Sequence, residues 1–358
     1  GVQSVARGVL KLLTAPMPPL LTLCIGSSQL QAQLALSPFK PAPLVSDGFA
    51  LGRPQGLPHL GLSASLLLDY ANDPLVFELA GGERRQERIV SHHLQLHAAF
   101  ALGLWDRLSV FAQLPVHLVM SGPERPVAPV PRADAAGLGD LALGGRGQLA
   151  GERRSALALS AELSARLPTA KLADDSQRYA GDAIGSYEPA LLGELRAGRV
   201  DVRVRAGIRL RKLTQLGNLA LDHELVYGAG ARVRISELFH LHAELYGSTF
   251  LKHPWQRVHA PLEALLGVKL QLQDFSLGLA AGPGLSHGFG APDVRVVGLV
   301  GYAPVTRERL PPRDRDHANR YSQANAQHPH PCARADDSPP PQDPQAHRSP
   351  PGSYLLHH

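Results

Sequence analysis

The 358-residue sequence is short of aromatic residues, cysteine and charge. Aromatic residues make up 5% of it and charged residues 19%, below the roughly 25% that is usual for a soluble domain. Two cysteines exclude a disulfide scaffold and any zinc module built from four cysteines or from two cysteines and two histidines. A net charge of +5 over this length is weak evidence for a nucleic-acid partner, and none is predicted.

The sequence also lacks long apolar runs. Its mean hydropathy is −0.09, although 44% of the residues are hydrophobic. A polytopic helical membrane protein is therefore excluded, because each of its spans needs about 20 consecutive apolar residues. Glycine (35 residues) and proline (31 residues) are instead frequent. The apolar residues must follow a pattern other than long runs.

The N-terminus has the pattern of an export signal. Arg7 and Lys11 precede an apolar stretch from Leu12 to Ile25, and small residues follow. A basic region, an apolar region and small residues are typical of a secretory signal peptide. Residues 1–32 are therefore predicted as a signal peptide and 33–58 as a lead-in. Because prolines interrupt the apolar stretch, an irregular N-terminal segment is the alternative.

Residues 59–303 alternate between apolar and polar side chains. From Leu157 to Leu167, leucine or alanine occupies every second position, and the residues between them include Glu162 and Arg166. A period of two is typical of a strand with two different faces. About twelve such runs of roughly 8 to 14 residues follow one another. A helix would scatter the charges around its surface, because its period is 3.6.

Short and long connections alternate between these runs. The turns at 103–107 and 273–274 are short, whereas the connections at 71–88 and 120–137 are long. An even number of antiparallel strands with short turns at one end and longer loops at the other is the plan of an outer-membrane barrel. The predicted fold class is all-β, an antiparallel transmembrane β-barrel of about 12 strands whose two ends lie on the short-turn side.

A closed barrel suits this pattern because it pairs every backbone group in the membrane. Its apolar face would meet lipid and its polar face would line the interior. The alternative is a secreted or periplasmic β-sandwich that binds surfaces, whose polar face would lie outside. The low aromatic content is unfavourable for a barrel, because the two interfacial girdles would be thin. The girdle candidates are Tyr70, Phe77, Trp105, Tyr187, Tyr227, Phe239, Tyr246, Phe250, Trp255, Phe275 and Tyr302.

Charged and polar side chains on the second face are predicted to line the lumen. The arginine row on one strand has two interpretations: a basic strip that favours anions in a pore, or ion pairs across strands that fill the lumen. We favour the ion pairs, because glutamates lie on both neighbouring strands. The lumen-facing candidates are His93, His97, Glu162, Arg166, Glu194, Arg196, Arg203, Arg205, Arg209, Arg211, Glu224, Arg232, Arg234, Glu263 and Lys269.

The sequence predicts no catalytic residue, no metal site and no cofactor. His93 and His97 lie about 13 Å apart on a strand, at roughly 3.3 Å per residue. They cannot share one ion, which needs nitrogen ligands at about 2.0 to 2.1 Å, and His92 points to the other face. Ser286 and His287 are adjacent in a loop, but no recognisable hydrolase motif surrounds them.

Several segments carry a resemblance to a known family. They are Leu68–Val76, Val90–Leu94, Leu104–Leu108, Gly137–Leu141 and Gly288–Arg295. These segments resemble the N-terminal barrel domain of OmpA-family outer-membrane proteins, in the larger subtype where Asp-rich repeats and a peptidoglycan-binding domain follow. The resemblance covers about residues 37 to 304. It implies the barrel fold rather than an activity, because the matching segments are strands and turns.

The C-terminal residues depart from that family. Residues 304–358 are rich in proline and histidine and have no apolar periodicity, so this tail is predicted to be disordered. Peptidoglycan would be a partner only if a missing C-terminal domain exists. The tail after residue 306 also fits a frame-shifted or truncated reading of a longer protein.

The predicted function is that of an integral barrel in the outer membrane of a Gram-negative cell. Its role would be structural or that of a narrow passive pore, and it would not be an enzyme. The expected partners are outer-membrane lipid, the barrel assembly machinery and small solutes. An outer-membrane transporter for small solutes is the other membrane alternative.

Overall fold

The computed structural model describes residues 39–79, 85–123, 136–152, 155–173, 181, 185–216, 219–252, 254, 259–286 and 288–304. The predicted signal peptide lies outside these residues, as does the predicted tail apart from Pro304. Within them the chain is almost entirely β-structure, with one short helix, α1 (Thr169–Ala173). No helix in the described ranges is long and apolar enough to cross a membrane.

Twelve long strands form a single closed antiparallel sheet. They are β1 (Leu62–Leu79), β2 (Arg85–Leu104), β3 (Leu108–Ser121), β5 (Leu141–Ala150), β6 (Leu157–Leu167), β7 (Ser186–Ala197), β8 (Val200–Arg211), β11 (Glu224–Arg234), β12 (Phe239–Phe250), β13 (Leu262–Leu272), β14 (Phe275–Pro283) and β15 (Val294–Tyr302). The short strands β4 (Gly137–Leu138), β9 (Thr214–Leu216) and β10 (Leu219–Leu221) lie in connections between them.

Each barrel strand pairs with its neighbours in sequence, and the last strand closes the barrel on the first. The register of that closure pairs Ala64 with Tyr302 and Asn72 with Val294. Around the barrel the sheet therefore has no open edge, whereas the described extensions of β1 and β2, Leu75–Leu79 and Arg85–Val90, pair with each other alone. The predicted twelve-stranded barrel is confirmed, and the β-sandwich alternative is wrong because one sheet closes on itself instead of two sheets packing face to face.

The alternation in sequence becomes an apolar exterior and a polar interior. Leucine and valine side chains are exposed around the outside; Leu163 on β6 is 57% exposed and Leu266 on β13 is 68% exposed. The charged residues between them are buried, as Glu162 and Arg203 illustrate. This is the reverse of a water-soluble fold, in which large apolar side chains are usually inside.

The connection between β1 and β2 differs from the prediction. Residues 71–88 were predicted as the long connection between the first two strands, and they include Asn72, Asp73 and Pro74, which are typical turn residues. In the structure the two strands continue past this point and pair as far as Leu79 and Arg85. The turn residues instead form a bulge in the ladder, where Asp73 adopts a φ of 50°. Bulges of this kind accommodate residues that a regular strand excludes.

The exposed aromatic residues gather mainly at the short-turn end. Trp105, Phe239, Phe275 and Tyr302 are all exposed there, and the rings of Phe275 and Tyr302 are 5.1 Å apart. Two other girdle predictions are wrong: Tyr246 and Phe250 on β12 are buried inside the barrel. Phe77 and Trp255 have no described side chain.

Candidate functional site

The lumen of the barrel is occupied by the chain that precedes β1. We call residues 39–58 the lumenal segment. Its residues Phe39, Leu44, Phe49 and Leu51 are all at most 2% exposed, although the segment contains no strand or helix. A stretch without regular structure must find partners for its backbone groups elsewhere, and the barrel wall supplies them.

Two charged side chains of the wall hold the backbone of the lumenal segment. The carboxylate of Glu244 on β12 accepts hydrogen bonds from the N–H groups of Phe49, Ala50 and Leu51 at 2.7 to 3.3 Å. The ammonium group of Lys269 on β13 donates to the carbonyl oxygens of Asp47 at 2.7 Å and Gly48 at 3.0 Å. The wall thus binds both the donors and the acceptors of one bend in the segment.

On the opposite side, the contacts join charged side chains. Arg146 on β5 donates to Asp47 of the lumenal segment at 2.9 Å and to Glu162 on β6 at 2.8 Å. Arg53 of the segment forms a bidentate pair with Glu194 on β7, both hydrogen bonds being 2.9 Å long. Charge-assisted and bidentate hydrogen bonds are the strongest of the ordinary kinds, so this side is also firmly held.

Apolar side chains of the segment pack into a cluster at the centre of the barrel. Phe39, Phe49 and Leu51 contact wall residues that point inward although they are apolar, namely Leu67, Leu265, Val297 and Leu299. Leu67, Val297 and Leu299 are positions at which the predicted alternation fails. Leu192 is another such position, and it is buried beside Gly52 of the segment. The positions that depart from the alternation are therefore the ones that contact the lumenal segment, and we call them, with the wall glycines described next, the seat of the segment.

Glycines of the wall make room for the same side chains. A Cβ on Gly267 would lie 2.7 Å from the ring of Phe49, and one on Gly228 would lie 2.5 Å from a methyl group of Leu51. The three atoms nearest to a Cβ on Gly301 would all belong to Val45, the closest of them at 2.6 Å. Such distances are too short for real side-chain contacts, so a larger residue at these positions would displace the segment.

The arginine row on β8 is engaged with glutamates of both neighbouring strands. Arg205 pairs with Glu188 at 2.7 Å and with Glu162 at 3.1 Å. Arg209 pairs with Glu188 at 2.8 Å and with Glu224 at 3.0 Å, and Arg211 also contacts Glu224. The wall around β8 is thus a network of ion pairs rather than a row of unneutralised cations.

The other predicted lumen-facing residues occupy the interior as well. Glu194 also binds Arg196 and Arg203, Arg232 pairs with Asp201, and Arg234 donates to the carbonyl oxygen of Gly198. Glu263 accepts hydrogen bonds from Arg295, which also binds Asp69, and from Tyr246. Three further residues of the interior are not among the predicted candidates: Arg146, Glu244 and Arg295. Glu244 and Arg295 stand between apolar neighbours in their strands, which is the signal that could have found them, whereas Arg146 stands between two glycines.

The histidine cluster on β2 and β3 lies inside the barrel. His93 Nε2 is 2.8 Å from His117 Nδ1, and the two rings stack with their centres 5.1 Å apart. His97 contacts the ring of Phe39 edge-on, whereas His92 is exposed and hydrogen-bonds the hydroxyl group of Tyr70. Within the described residues, no group of three or more His, Cys, Asp or Glu side chains could hold a metal ion.

The side chain of Ser286, in the loop between β14 and β15, is hydrogen-bonded to backbone groups. The hydroxyl group of Ser286 donates to the carbonyl oxygen of Ala260 at 2.6 Å and accepts from the N–H of Leu262 at 2.8 Å. Both partners are backbone groups of the β12–β13 connection and β13. Ser286 therefore ties two outer loops together, and its neighbour His287 lies outside the described residues.

The mouth at the long-loop end carries a partly exposed ion pair. Lys252 Nζ lies 3.1 Å from the carboxylate of Asp222. Partial burial raises the pKa of Asp222, but the backbone N–H of His223 and the ammonium group of Lys252 lower it more, so this pKa lies below its usual value.

A small cavity remains beside the lumenal segment. It has a volume of about 20 Å³ and lies between residues 40–43 of the segment and the β3–β8 side of the wall. Its charged lining consists of Lys40, Arg146, Glu162, Arg166, Glu188 and Arg205. A cavity of roughly 10 to 15 Å³ already has room for a water molecule, so this narrow part of the lumen is large enough for water.

The fold resembles that of a solved bacterial channel. An outer-membrane channel from Pseudomonas putida F1 aligns over 70% of this chain and 97% of its own, with 12% identity and a TM-score of 0.55. The NanC and KdgM porins align over 67% of the chain with 6% identity, and their TM-scores of 0.45 and 0.40 are too low to support an argument. The sequence matches no protein-family model and no curated protein.

At this identity the comparison shows the fold alone. The barrel fold is therefore similar to that of a known outer-membrane channel, while the resemblance to OmpA-family proteins stays a prediction. What the chain does has to be argued from its own exterior and lumen.

Proposed function

We propose that the protein is an integral outer-membrane barrel that acts as a narrow passive pore, restricted by its lumenal segment. The observation that carries the proposal is the combination of an apolar exterior with a charged lumen that the chain's own residues 39–58 occupy. The low-identity fold match to an outer-membrane channel is in keeping with it.

The exterior supports the membrane location. Around the barrel, outward positions are leucine, valine or alanine along almost the full length of each strand, and more than thirty large apolar side chains are exposed. In water such a surface would be costly, because soluble monomers rarely expose apolar patches larger than a few hundred Å². In lipid the same surface is favourable, and the closed sheet leaves no unpaired strand edge.

The lumen supports restricted passage. Twelve strands lie between the filled barrels of eight strands and the open porins of sixteen or more. A barrel of this size needs extra material to close its interior, and the lumenal segment supplies it. The remaining space is lined by charged groups, which suits water and small ions better than apolar solutes.

The proposed role includes no catalytic step. The lumenal carboxylates of Glu162, Glu188 and Glu194 are each shared by at least two arginines, so they are held as ion-pair partners. Ser286 is bonded to backbone groups. Lipid and small solutes are the proposed partners, while the barrel assembly machinery stays a prediction.

The membrane location is tested by fractionation and gel mobility. We expect the protein in the outer-membrane fraction, and its unheated form should migrate differently from the boiled form, as closed barrels do. A product found entirely in the periplasm or the medium, with one mobility whether heated or not, would contradict the location.

The pore is tested by conductance in planar bilayers. We expect small, stable current steps from the wild-type protein and larger steps from a variant that lacks residues 39–58. The matched control is Glu237→Gln, which changes an exposed side chain in the turn between β11 and β12. Absence of current from both the wild type and the deletion variant would contradict a pore and leave a structural role.

A further inference from the structure

The lipid-facing surface of the barrel carries a row of polar side chains at the long-loop end. Asn72 on β1 is paired with His92 on β2, and His92 is paired with Ser121 on β3. All three side chains lie on the outer face: Asn72 shares its face with the exposed Leu68, His92 is exposed, and Met120, the neighbour of Ser121, is buried. The row brings an amide, an imidazole and a hydroxyl group together on three adjacent strands.

The row lies at the outer edge of the apolar belt. Asn72 is the last residue of β1 that pairs with β15, at Val294, and beyond it β1 pairs with β2 alone. Nearer the middle of the same face, Leu66 and Leu68 are exposed. A polar group is costly in hydrocarbon but is readily hydrated at the membrane interface, and the long-loop end of such a barrel faces the outside of the cell. The row therefore meets the ester and head-group region of the outer leaflet.

Tyr70 determines which nitrogen of His92 carries the proton. Its hydroxyl oxygen is 2.9 Å from His92 Nδ1, and the two rings stack with their centres 6.2 Å apart. The hydroxyl group also donates to Oδ1 of Asn72, at 3.5 Å. Since its one proton is directed to Asn72, its oxygen accepts from the N–H at Nδ1 of His92. Nε2 of His92 is then the unprotonated nitrogen, which can act as a base.

The amide group of Asn72 is itself oriented by charged side chains. Its Nδ2 donates to the carboxylate of Asp73 at 3.2 Å, and Arg88 lies 3.3 Å from the same carboxylate. Because a carboxylate only accepts hydrogen bonds, the amide nitrogen faces Asp73 and the amide oxygen is left for Tyr70. Asp73 holds this position with a φ of 50°, and strained residues of this kind cluster at functional sites.

Ser121 lies on the other side of His92 from Asn72. Side chains directly opposite each other on adjacent strands have Cβ atoms about 4.5 to 5.5 Å apart, which is within reach of an imidazole ring. Within the described residues, no other side chain engages the hydroxyl group of Ser121. The β2–β3 ladder has a bulge between Leu94 and Gln95, close to this pair, and bulges often redirect a side chain beside an active site.

We propose that Ser121 and His92 form a hydrolase site on the outside of the barrel, which cleaves ester-linked acyl chains from lipids of the outer leaflet. A serine beside a histidine whose second nitrogen is held by a third group is the arrangement used for acyl transfer. Ser121 is the nucleophile, His92 is the general base, and Tyr70 and Asn72 are positioning residues. The site lies outside the lumen, so the proposal does not depend on the pore.

The reaction requires only the lipid ester and water. The hydroxyl oxygen of Ser121 attacks the ester carbonyl carbon while Nε2 of His92 takes the hydroxyl proton. The ladder ends at Ser121, so the N–H of Gly122 is outside it and can donate to the oxyanion. When the bond to the lipid alcohol breaks, His92 gives the proton to the departing oxygen. Water then attacks the acyl-serine and gives a proton to His92, which returns it to Ser121 as the fatty acid leaves.

The test is release of free fatty acid from a diacyl phospholipid in mixed detergent micelles by the full-length protein. We expect release by the wild type and none by Ser121→Ala. In His92→Gln, kcat should be at least about a hundredfold lower, because general-base catalysis contributes about 10² to 10⁴-fold. Tyr70→Phe should lower kcat and leave KM unchanged, because it removes the group that orients the base and no contact with the lipid.

Ser91→Ala is the matched control, because Ser91 precedes His92 on the same strand and therefore lies on the opposite face. It should release fatty acid at the wild-type rate. Heat-modifiable gel mobility establishes that each variant is folded, and the currents of Ser121→Ala in planar bilayers should equal those of the wild type.

Three outcomes overturn the hydrolase site. The first is a wild type that releases no fatty acid. The second is release that persists in Ser121→Ala purified in the same way, because the activity would then come from elsewhere. The third is an equal loss in Ser91→Ala, because the effect would then be structural. None of these outcomes bears on the pore, which is judged by its currents alone.

Discussion

The two halves of the barrel wall hold the lumenal segment by different means. The wall formed by β11–β15 and β1 packs against apolar side chains and binds the backbone of the segment through Glu244 and Lys269. The wall formed by β5–β8 binds two charged side chains of the segment, Asp47 and Arg53. One half therefore recognises the shape of the segment, and the other recognises its charge.

The two halves of the wall also differ in how regularly apolar and polar residues alternate along their strands. The wall of β5–β8 pairs charges and keeps the alternation more closely, although Leu192 points inward there beside Gly52. A wall that packs against an apolar segment must break alternation and admit glycine. Apolar residues and glycines at the inward positions of a barrel sequence thus indicate that an apolar segment occupies the lumen.

The largest expected effect is at the backbone anchor. Glu244→Ala removes the acceptor for three N–H groups of the lumenal segment, each buried. Leaving buried donors unpaired costs about 1 to 3 kcal/mol apiece, so the segment should detach. Amide hydrogen exchange of residues 39–58 measures this, with Glu237→Ala as an exposed control on the same hairpin. Unchanged protection in Glu244→Ala would show that the anchor is dispensable.

A smaller effect is expected on the charged side. Arg53→Gln removes the bidentate pair with Glu194, and a hydrogen bond to a charged group contributes about 1.5 to 3 kcal/mol. The segment should exchange faster while the backbone anchor still holds part of it. Arg196→Gln is the control, because Arg196 binds the same carboxylate from the wall. If both variants behave alike, Arg53 has no particular role in seating the segment.

A larger side chain in place of a wall glycine that contacts the lumenal segment should displace the segment to a comparable or slightly smaller extent. Gly301→Val places methyl groups where Val45 lies, and overpacking of this kind costs about 1 to 3 kcal/mol. Gly298 on the same strand faces outward with no atom within 4 Å of an added Cβ, so Gly298→Val should be tolerated. Larger current steps from Gly301→Val than from Gly298→Val are expected, and equal steps would argue against the seat.

The smallest effect is expected at the outer mouth. Lys252→Ala removes the pair with Asp222, which is partly exposed, and such pairs contribute about 0 to 1 kcal/mol. Because the folded pKa of Asp222 is depressed, this contribution is present at neutral pH and is lost as pH falls through the folded value. The variant and the wild type should therefore converge in heat stability at acidic pH, and a gap that widens there would contradict the pairing.

The fold was predictable because period-two alternation is a strong signal over twelve strands. The rhythm of short and long connections indicated that successive strands run antiparallel, as the pairings show. The boundaries of β1 and β2 were not predictable, because Asn72, Asp73 and Pro74 have the composition of a turn but form a bulge within paired strands. Turn chemistry alone does not distinguish the two.

The lumenal segment could not be predicted from its own sequence. Residues 39–58 have no periodicity, and chain before a barrel is usually read as a leader. The sequence of the barrel wall does indicate an occupied lumen. Four apolar residues point inward there, namely Leu67, Leu192, Val297 and Leu299, and Gly301 leaves room for a side chain of the segment. The ion pairs were predictable in kind, since opposite charges faced each other in adjacent strands. Their partners in the segment were not.

The contacts of the lumenal segment join parts of the chain that lie far apart in sequence. Phe49 binds Glu244, which lies 195 residues further along the chain, and Arg295 of the last strand reaches back 226 residues to Asp69. Contacts between such distant parts of a chain are slow to form, because the intervening loop must close first. Val297 and Leu299 of β15 belong to the cluster around Phe39 and Phe49, so the lumenal segment gains its full set of contacts only after the last strand has been made and has paired with β1.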